Sequence, residues 1–132
     1  METSDSNRGT ILVVDDEPSI SDVCRRVLTR EGFEVDIAVN GKVAQDMVVR
    51  KQYDLCLIDI RTPAMNGKEL YEWLQEKHPQ LAKGVIFTTG DVLGGDSGRF
   101  VEATGRPFLP KPFSPGGLKD IVRRTLEGTG QH

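Results

Sequence analysis

Two hydrophobic rhythms alternate along the chain. Short uninterrupted apolar runs, Ile11-Leu12-Val13-Val14, Leu55-Cys56-Leu57-Ile58 and Val85-Ile86-Phe87, have the pattern of strands buried on both faces. Between them, apolar residues recur every three or four positions, as on one side of a helix. Pro18 fits a first helical turn, Ile20, Val23, Cys24, Val27 and Leu28 form the stripe behind it, and Gly32 closes it. Asn40-Gly41 turns into a second stripe of Val43, Ala44, Met47 and Val48. A loop through Pro63 leads to a third with Leu70, Trp73 and Leu74. Ser114-Pro115 makes an N-cap and first-turn pair for a last helix with Leu118, Ile121, Val122 and Leu126. Phe33 to Val39 differs: Val35, Ile37 and Val39 alternate with Glu34 and Asp36, as expected of a less buried strand near an edge.

Pro107-Phe108-Leu109 reads as a short fifth strand. The segment before it is weak, because Gly94, Gly95 and Gly98 each cost roughly 1 kcal/mol relative to Ala inside a helix. A short mobile helix through Phe100, Val101 and Ala103, capped by Asp96 or Ser97, and a plain loop are equally compatible with it. Five strands alternating with helices predict an α/β fold, since parallel neighbours need crossovers and the crossovers cover both faces. The expected architecture is the flavodoxin-like doubly wound sheet in the order 2-1-3-4-5. The boundaries expected are a flexible tail over 1–9, one domain over 10–127 and a tail over 128–132.

Composition narrows the function. The 132 residues fit one domain, 37% are hydrophobic, and a net charge of -3 lacks the basic balance of a nucleic-acid surface. No apolar stretch approaches the roughly 20 residues of a membrane span, and the polar start lacks the apolar segment of a secretory signal. Cys24 and Cys56 fall on apolar faces, with no second Cys or His at metal-ligand spacing. A cytoplasmic location is expected, with no direct contact to nucleic acid or membrane.

Chemistry gathers at strand ends. Asp15 and Asp16 follow the first strand, Asp59 ends the third, Thr89 ends the fourth and Lys111 follows the fifth. Ligands of open parallel sheets bind at the carboxyl ends of strands, and this order sets the first strand beside the third. Three converging carboxylates without Cys or His make a hard oxygen site suited to Mg²⁺. Lys111 would add positive charge and Thr89 a hydroxyl, together able to hold the equatorial oxygens of a phosphoryl group in transfer. Taken singly, Asp15-Asp16 before Glu17-Pro18 suits a helix start, Asp59 a turn and Thr89 a strand-end hydroxyl. Their joint placement favours the chemical role.

These stretches are similar to a known family. Ile11 to Pro18, Leu57 to Ile60 with Pro63 to Gly67, Phe87 to Gly90 and Phe108 to Phe113 resemble the receiver (response regulator) domain of two-component signalling, over about residues 10–127. The resemblance implies that Asp59 accepts a phosphoryl group from a phosphohistidine of a histidine kinase or phosphotransfer protein. It implies that Asp15, Asp16 or both bind Mg²⁺ with Asp59 and the backbone carbonyl of Arg61. It gives Thr89 and Lys111 catalytic roles toward the phosphoryl group and makes Phe108 an aromatic switch. Thr88 is an alternative switch residue, with Thr89 preferred for its Thr-Gly pair. The implied output face is the helix before the fifth strand, that strand and the final helix; a homodimer through it is compatible. The implied protein is a signalling domain that catalyses its own phosphorylation and dephosphorylation, without independent turnover.

Thr62 stands where methionine is common and Asn66 where aspartate is common. Arg61 and Asp91, each two residues past a key position, are expected to pair and slow hydrolysis of the acyl phosphate. A flavodoxin-like electron carrier is disfavoured because Asp15, Asp16 and Glu17 would repel a flavin phosphate. An aspartyl-phosphate hydrolase is disfavoured because its Asp-x-Asp normally follows one strand. No DNA-binding domain is expected after Glu127, and output is expected through protein contacts. The Thr89-Gly90-Asp91 and Gly105 to Leu109 stretches lean toward receivers attached to hybrid kinases.

Overall fold

A computed structural model describes residues 8–62, 64–90 and 95–128. The apolar runs form strands β1 (Thr10–Val14), β3 (Leu55–Asp59) and β4 (Val85–Thr89), with β2 (Glu34–Ala38) and β5 (Phe108–Pro110) outside them. All neighbours are parallel and the order is β2-β1-β3-β4-β5, as the alternating pattern predicts. Helices α1 (Pro18–Arg30) and α6 (Pro115–Gly128) cover one face. The other carries α2 (Gly41–Arg50), α3 (Gly67–Lys77), a four-residue helix α4 (Pro79–Ala82) and α5 (Gly95–Thr104).

Local chemistry sets the helix ends. Gly32, at φ 96°, ends α1 with its N–H on the Thr29 carbonyl and the Phe33 N–H on that of Leu28. These are the paired bonds of a Schellman motif, which needs a left-handed residue best supplied by glycine. Asn66 caps α3: its side chain accepts the Glu69 N–H, and the Glu69 side chain accepts the Asn66 N–H. The residue that departs from the expected aspartate is thus a reciprocal capping box. Ser114 likewise accepts the Gly117 N–H at the start of α6.

Three expectations change in detail. Residues 95–104 form a ten-residue helix, so tertiary contact overrides the cost of glycine. Phe100 supplies it, lying edge-on to Tyr71 and Phe87 at centroid distances of 6.0 and 5.6 Å. Such pairs contribute about 0.5–1.5 kcal/mol each beyond area burial. Asp96 and Ser97 fall inside the first turn of this helix, and the residue before it lies outside those described. Val39 falls past the end of β2 and is 55% exposed, while Val35 and Ile37 pack inward. Asp36, on the other face of this edge strand, accepts from Lys51 Nζ at 2.9 Å and the Tyr53 hydroxyl at 2.8 Å. The fifth strand runs one residue later than expected. Among the described residues no helix is long and apolar enough to cross a membrane.

Close backbone approach fixes the loop that follows Asp59. A Cβ at Gly41 would lie 1.9 Å from the Met65 carbonyl oxygen, and one at Gly67 2.7 Å from the Ile60 Cα. Nothing lies within 4 Å of a Cβ at Gly116. Gly41→Ala is therefore expected to lower stability by about 1–3 kcal/mol or more. Gly116→Ala, in an open helical position, should raise it by roughly 0.4–1 kcal/mol. Chemical denaturation of the two variants checks the opposite signs.

Candidate functional site

The sheet order places β1 against β3, with Val14 in register with Ile58, so the residues that follow each strand emerge side by side. The peptide after β1 turns sharply: the Asp15 Oδ1 accepts the Glu17 N–H at 2.9 Å. The Asp59 Oδ1 accepts the Arg61 N–H at 3.0 Å in the matching turn after β3. Each carboxylate is thus oriented by the backbone two residues ahead of it.

Lys111 reaches the pair from just past β5, two strands from β3 and three from β1. Its backbone N–H bonds the Thr89 carbonyl at 3.0 Å, tying the lysine to the end of β4. Its Nζ lies 2.8 Å from Asp15 Oδ2, 2.6 Å from Glu17 Oε1 and 2.9 Å from Asp59 Oδ2. The Asp15, Asp59 and Lys111 side chains are only 2%, 8% and 7% exposed, whereas that of Glu17 is 56% exposed. Three carboxylates against one ammonium leave a formal charge of -2 in a largely buried space. Burial raises the Asp15 pKa, and its contacts with Lys111 and the Glu17 N–H offset this only in part. Burial pulls the Lys111 pKa down, but its bonds to Asp15, Glu17 and Asp59 outweigh this and hold it above the usual lysine range. The ammonium is charged throughout the physiological range.

Of the residues expected from sequence, Asp15, Asp59 and Lys111 meet directly, and Thr89 joins them through its carbonyl. Asp16 is exposed and stands outside the group of carboxylates whose oxygens lie within 4.8 Å of one another; that group is Asp15, Glu17 and Asp59. Glu17 is the residue sequence reasoning passed over. It was absorbed into the start of α1, where it is the N-cap residue but makes no side-chain cap bond. The signal was a third consecutive acid, which capping alone does not require. An all-oxygen, anionic donor set of this kind fits a hard divalent cation.

Phe108 is half-buried against the core cluster that holds Phe87, its register partner. Thr89 is buried and lies on the same face of the sheet as Phe87, two residues before it. Thr88 is in register with Asp59, and its buried hydroxyl has no hydrogen-bond partner among the described residues; the same holds for Thr62. Asp91 and Pro63 lie outside the described residues, and with them the expected Arg61–Asp91 pair.

Residues 11–123 match the family described as the response regulator receiver domain. The chain is 32% identical over 91% of its length to the response regulator protein PilR of Pseudomonas aeruginosa. It is 34% identical over 90% of its length to the transcriptional regulatory protein ResD of Bacillus subtilis. It spans 26% of the first relative and 47% of the second. Among solved structures it resembles a CheY-like receiver domain protein from Methanospirillum hungatei JF-1. That likeness has a TM-score of 0.84 and 28% identity, covering 92% of this chain and 96% of the other.

The raised Asp15 pKa has a stability consequence with a definite sign. A carboxyl whose folded pKa lies above its unfolded value favours folding below the unfolded pKa, and loses that contribution as pH rises through the folded one. Asp15→Asn is therefore expected to be more stable than wild type near neutral pH in divalent-cation-free buffer. The advantage should shrink as pH falls through the carboxylate range, where wild type takes up its own proton. Thermal unfolding of both proteins across pH 3–8 measures this difference.

Proposed function

The chain belongs to the response regulator receiver family of two-component signalling, and we propose that Asp59 is the residue in it that accepts the phosphoryl group. Receiver domains are signalling domains that interact with histidine kinases or phosphotransfer proteins. The observation that carries the assignment is the convergence of Asp59 and Asp15, from adjacent strand ends, on Lys111 from beyond β5, with the Asp59 Oδ2 2.9 Å from a charged ammonium.

In the proposed reaction an Asp59 oxygen forms the bond to phosphorus as the phosphorus–nitrogen bond of the donor phosphohistidine breaks. The imidazole departs with that electron pair. Hydrolysis later returns the carboxylate and inorganic phosphate. The chain's own part is placement: the Arg61 N–H orients Asp59, Lys111 offers positive charge to phosphoryl oxygens, and Thr89 offers a hydroxyl at the end of β4. Asp15, Asp16 or both, with Asp59 and the Arg61 carbonyl, would hold Mg²⁺, which would neutralise charge on the transferring group. In the cytoplasmic setting proposed, Phe108 would follow Thr89 inward, altering the face of α5, β5 and α6 that meets a downstream protein or a second copy. Such a switch requires the modified site to favour one of two conformations.

Arg61, with Asp91 from outside the described residues, is proposed as a modulator that shields the acyl phosphate from water. Arg61→Ala is accordingly expected to shorten its lifetime about two- to fivefold, the scale of one exposed ion pair. Loss of radiolabel from the phosphorylated proteins measures this, and equal rates would remove Arg61 from the role. The acceptor itself is tested by incubation with acetyl phosphate and Mg²⁺ followed by peptide mass mapping. One phosphoryl group on Asp59, and none on Asp59→Asn, is the expected outcome; modification elsewhere would refute the assignment.

A further inference from the structure

Lys111 is fully engaged before any phosphoryl group arrives. An ammonium has three N–H donors and no acceptor. Here three carboxylates from two different strand ends take them, at 2.8, 2.6 and 2.9 Å. A phosphoryl group on Asp59 brings new acceptor oxygens, and Lys111 can turn to them only by giving up a partner. The three partners are not equally easy to release.

Asp15 is a poor choice. Its side chain is 2% exposed, and its other oxygen is committed to the Glu17 N–H, so withdrawal of Lys111 would strand a buried charge. Asp59 is the group being modified and stays at the site. Glu17 is different in each respect. Its side chain is 56% exposed, it makes no capping bond to α1, and a short rotation returns its carboxylate to water.

We propose that Glu17 is a positioning residue: a releasable latch that holds the Lys111 ammonium in the unmodified protein and must let go for Lys111 to pair with the phosphoryl group. This rests on the assignment of Asp59 as acceptor. The latch joins the start of α1 to the loop after β5, and it is drawn from the one acid in the cluster that solvent can reclaim. Its consequence is kinetic. Each phosphorylation event includes the breaking of the Glu17–Lys111 contact, so loss of the contact should speed the reaction.

Two variants separate contact from charge. Glu17→Gln removes the charge. Glu17→Asp keeps it on a shorter side chain, which at an N-cap position finds backbone N–H groups of α1 instead of Lys111. Both are phosphorylated with acetyl phosphate at saturating Mg²⁺; an Asp59 oxygen bonds phosphorus as the donor's phosphorus–oxygen bond breaks, and acetate leaves with that electron pair. Both variants should react roughly two- to fivefold faster than wild type, the scale of one exposed ion pair. In the metal-free proteins, nitrogen-15 NMR of the lysine ammonium groups should show Lys111 exchanging its protons faster in both variants. Magnesium affinity, from calorimetry with the metal alone, should fall little in Glu17→Asp.

Acceleration in Glu17→Gln alone would make the effect one of charge, and the latch would be refuted. Unchanged rates in both, with an unchanged Lys111 signal, would refute it as well. Slower reaction in both, with a tenfold or greater loss of magnesium affinity, would make Glu17 a metal ligand instead of a latch. Failure of wild type to take phosphate at Asp59 would overturn the underlying assignment, a result distinct from all of these.

Discussion

One ammonium holds together three carboxylates that would otherwise drive their strand ends apart. Lys111 sits two strands away from Asp59 in the sheet, and Asp15 comes from the strand on the far side of it. The contact therefore exists only if β1, β3, β4 and β5 are all in register. The two apolar clusters on the faces of the sheet supply the stability that offsets the unneutralised charge. Fully buried Leu, Ile and Phe side chains such as Leu12, Ile58 and Phe87 contribute roughly 1.5–3 kcal/mol each. Without a cation the site opposes folding at Asp15, and the fold tolerates that because the core is built elsewhere.

What was legible in the chain is what local pattern determines. Continuous apolar runs named the three inner strands, because a strand covered on both faces has no polar side to show. Alternation named β2 as an edge, and its place at one end of the sheet agrees. The crossovers implied a parallel sheet, and the doubly wound class to which such sheets belong supplied the strand order and with it the meeting of Asp15 and Asp59. Residues whose roles depend on distant partners were harder. α5 looked doubtful because its glycines are local and its anchor, Phe100 against Tyr71 and Phe87, is not. Glu17 was hidden because an acid at a helix start already has an ordinary explanation. Only the 94-residue separation closed by Lys111 shows otherwise.

The two buried hydroxyls without a partner among the described residues fall in the same neighbourhood. Thr88 pairs in register with Asp59, and Thr62 stands three residues past it, its N–H on the Asp59 carbonyl. A buried polar atom without a partner costs about 1–3 kcal/mol. Threonine at position 62, in place of the common methionine, thus adds cost beside the site, and nothing in the structure explains the choice. Thr88 and Thr89 differ in direction. Thr88 faces the side covered by α1 and α6, whereas Thr89 faces that of Phe87 and Phe108. The proposed movement from Asp59 to Phe108 would run more directly through Thr89.

The route from charge to surface is short for a mechanical reason. Lys111 is bound to β4 through the Thr89 carbonyl and to the acids through its side chain, so a single residue connects the acidic cluster with the β4–β5 end. Phe87, on the same strand, is the centre of an edge-to-face trio with Tyr71 and Phe100, which fastens α5 to α3. Packed interiors respond to small displacements by changing rotamers or contacts, since they hold little free volume. The glycines of α5 weaken that helix's intrinsic hold, leaving its position to the aromatic contacts. A site with surplus negative charge, an ammonium with no donor to spare and a neighbouring helix held by side chains are the parts through which the proposed modification of Asp59 would reach the surface.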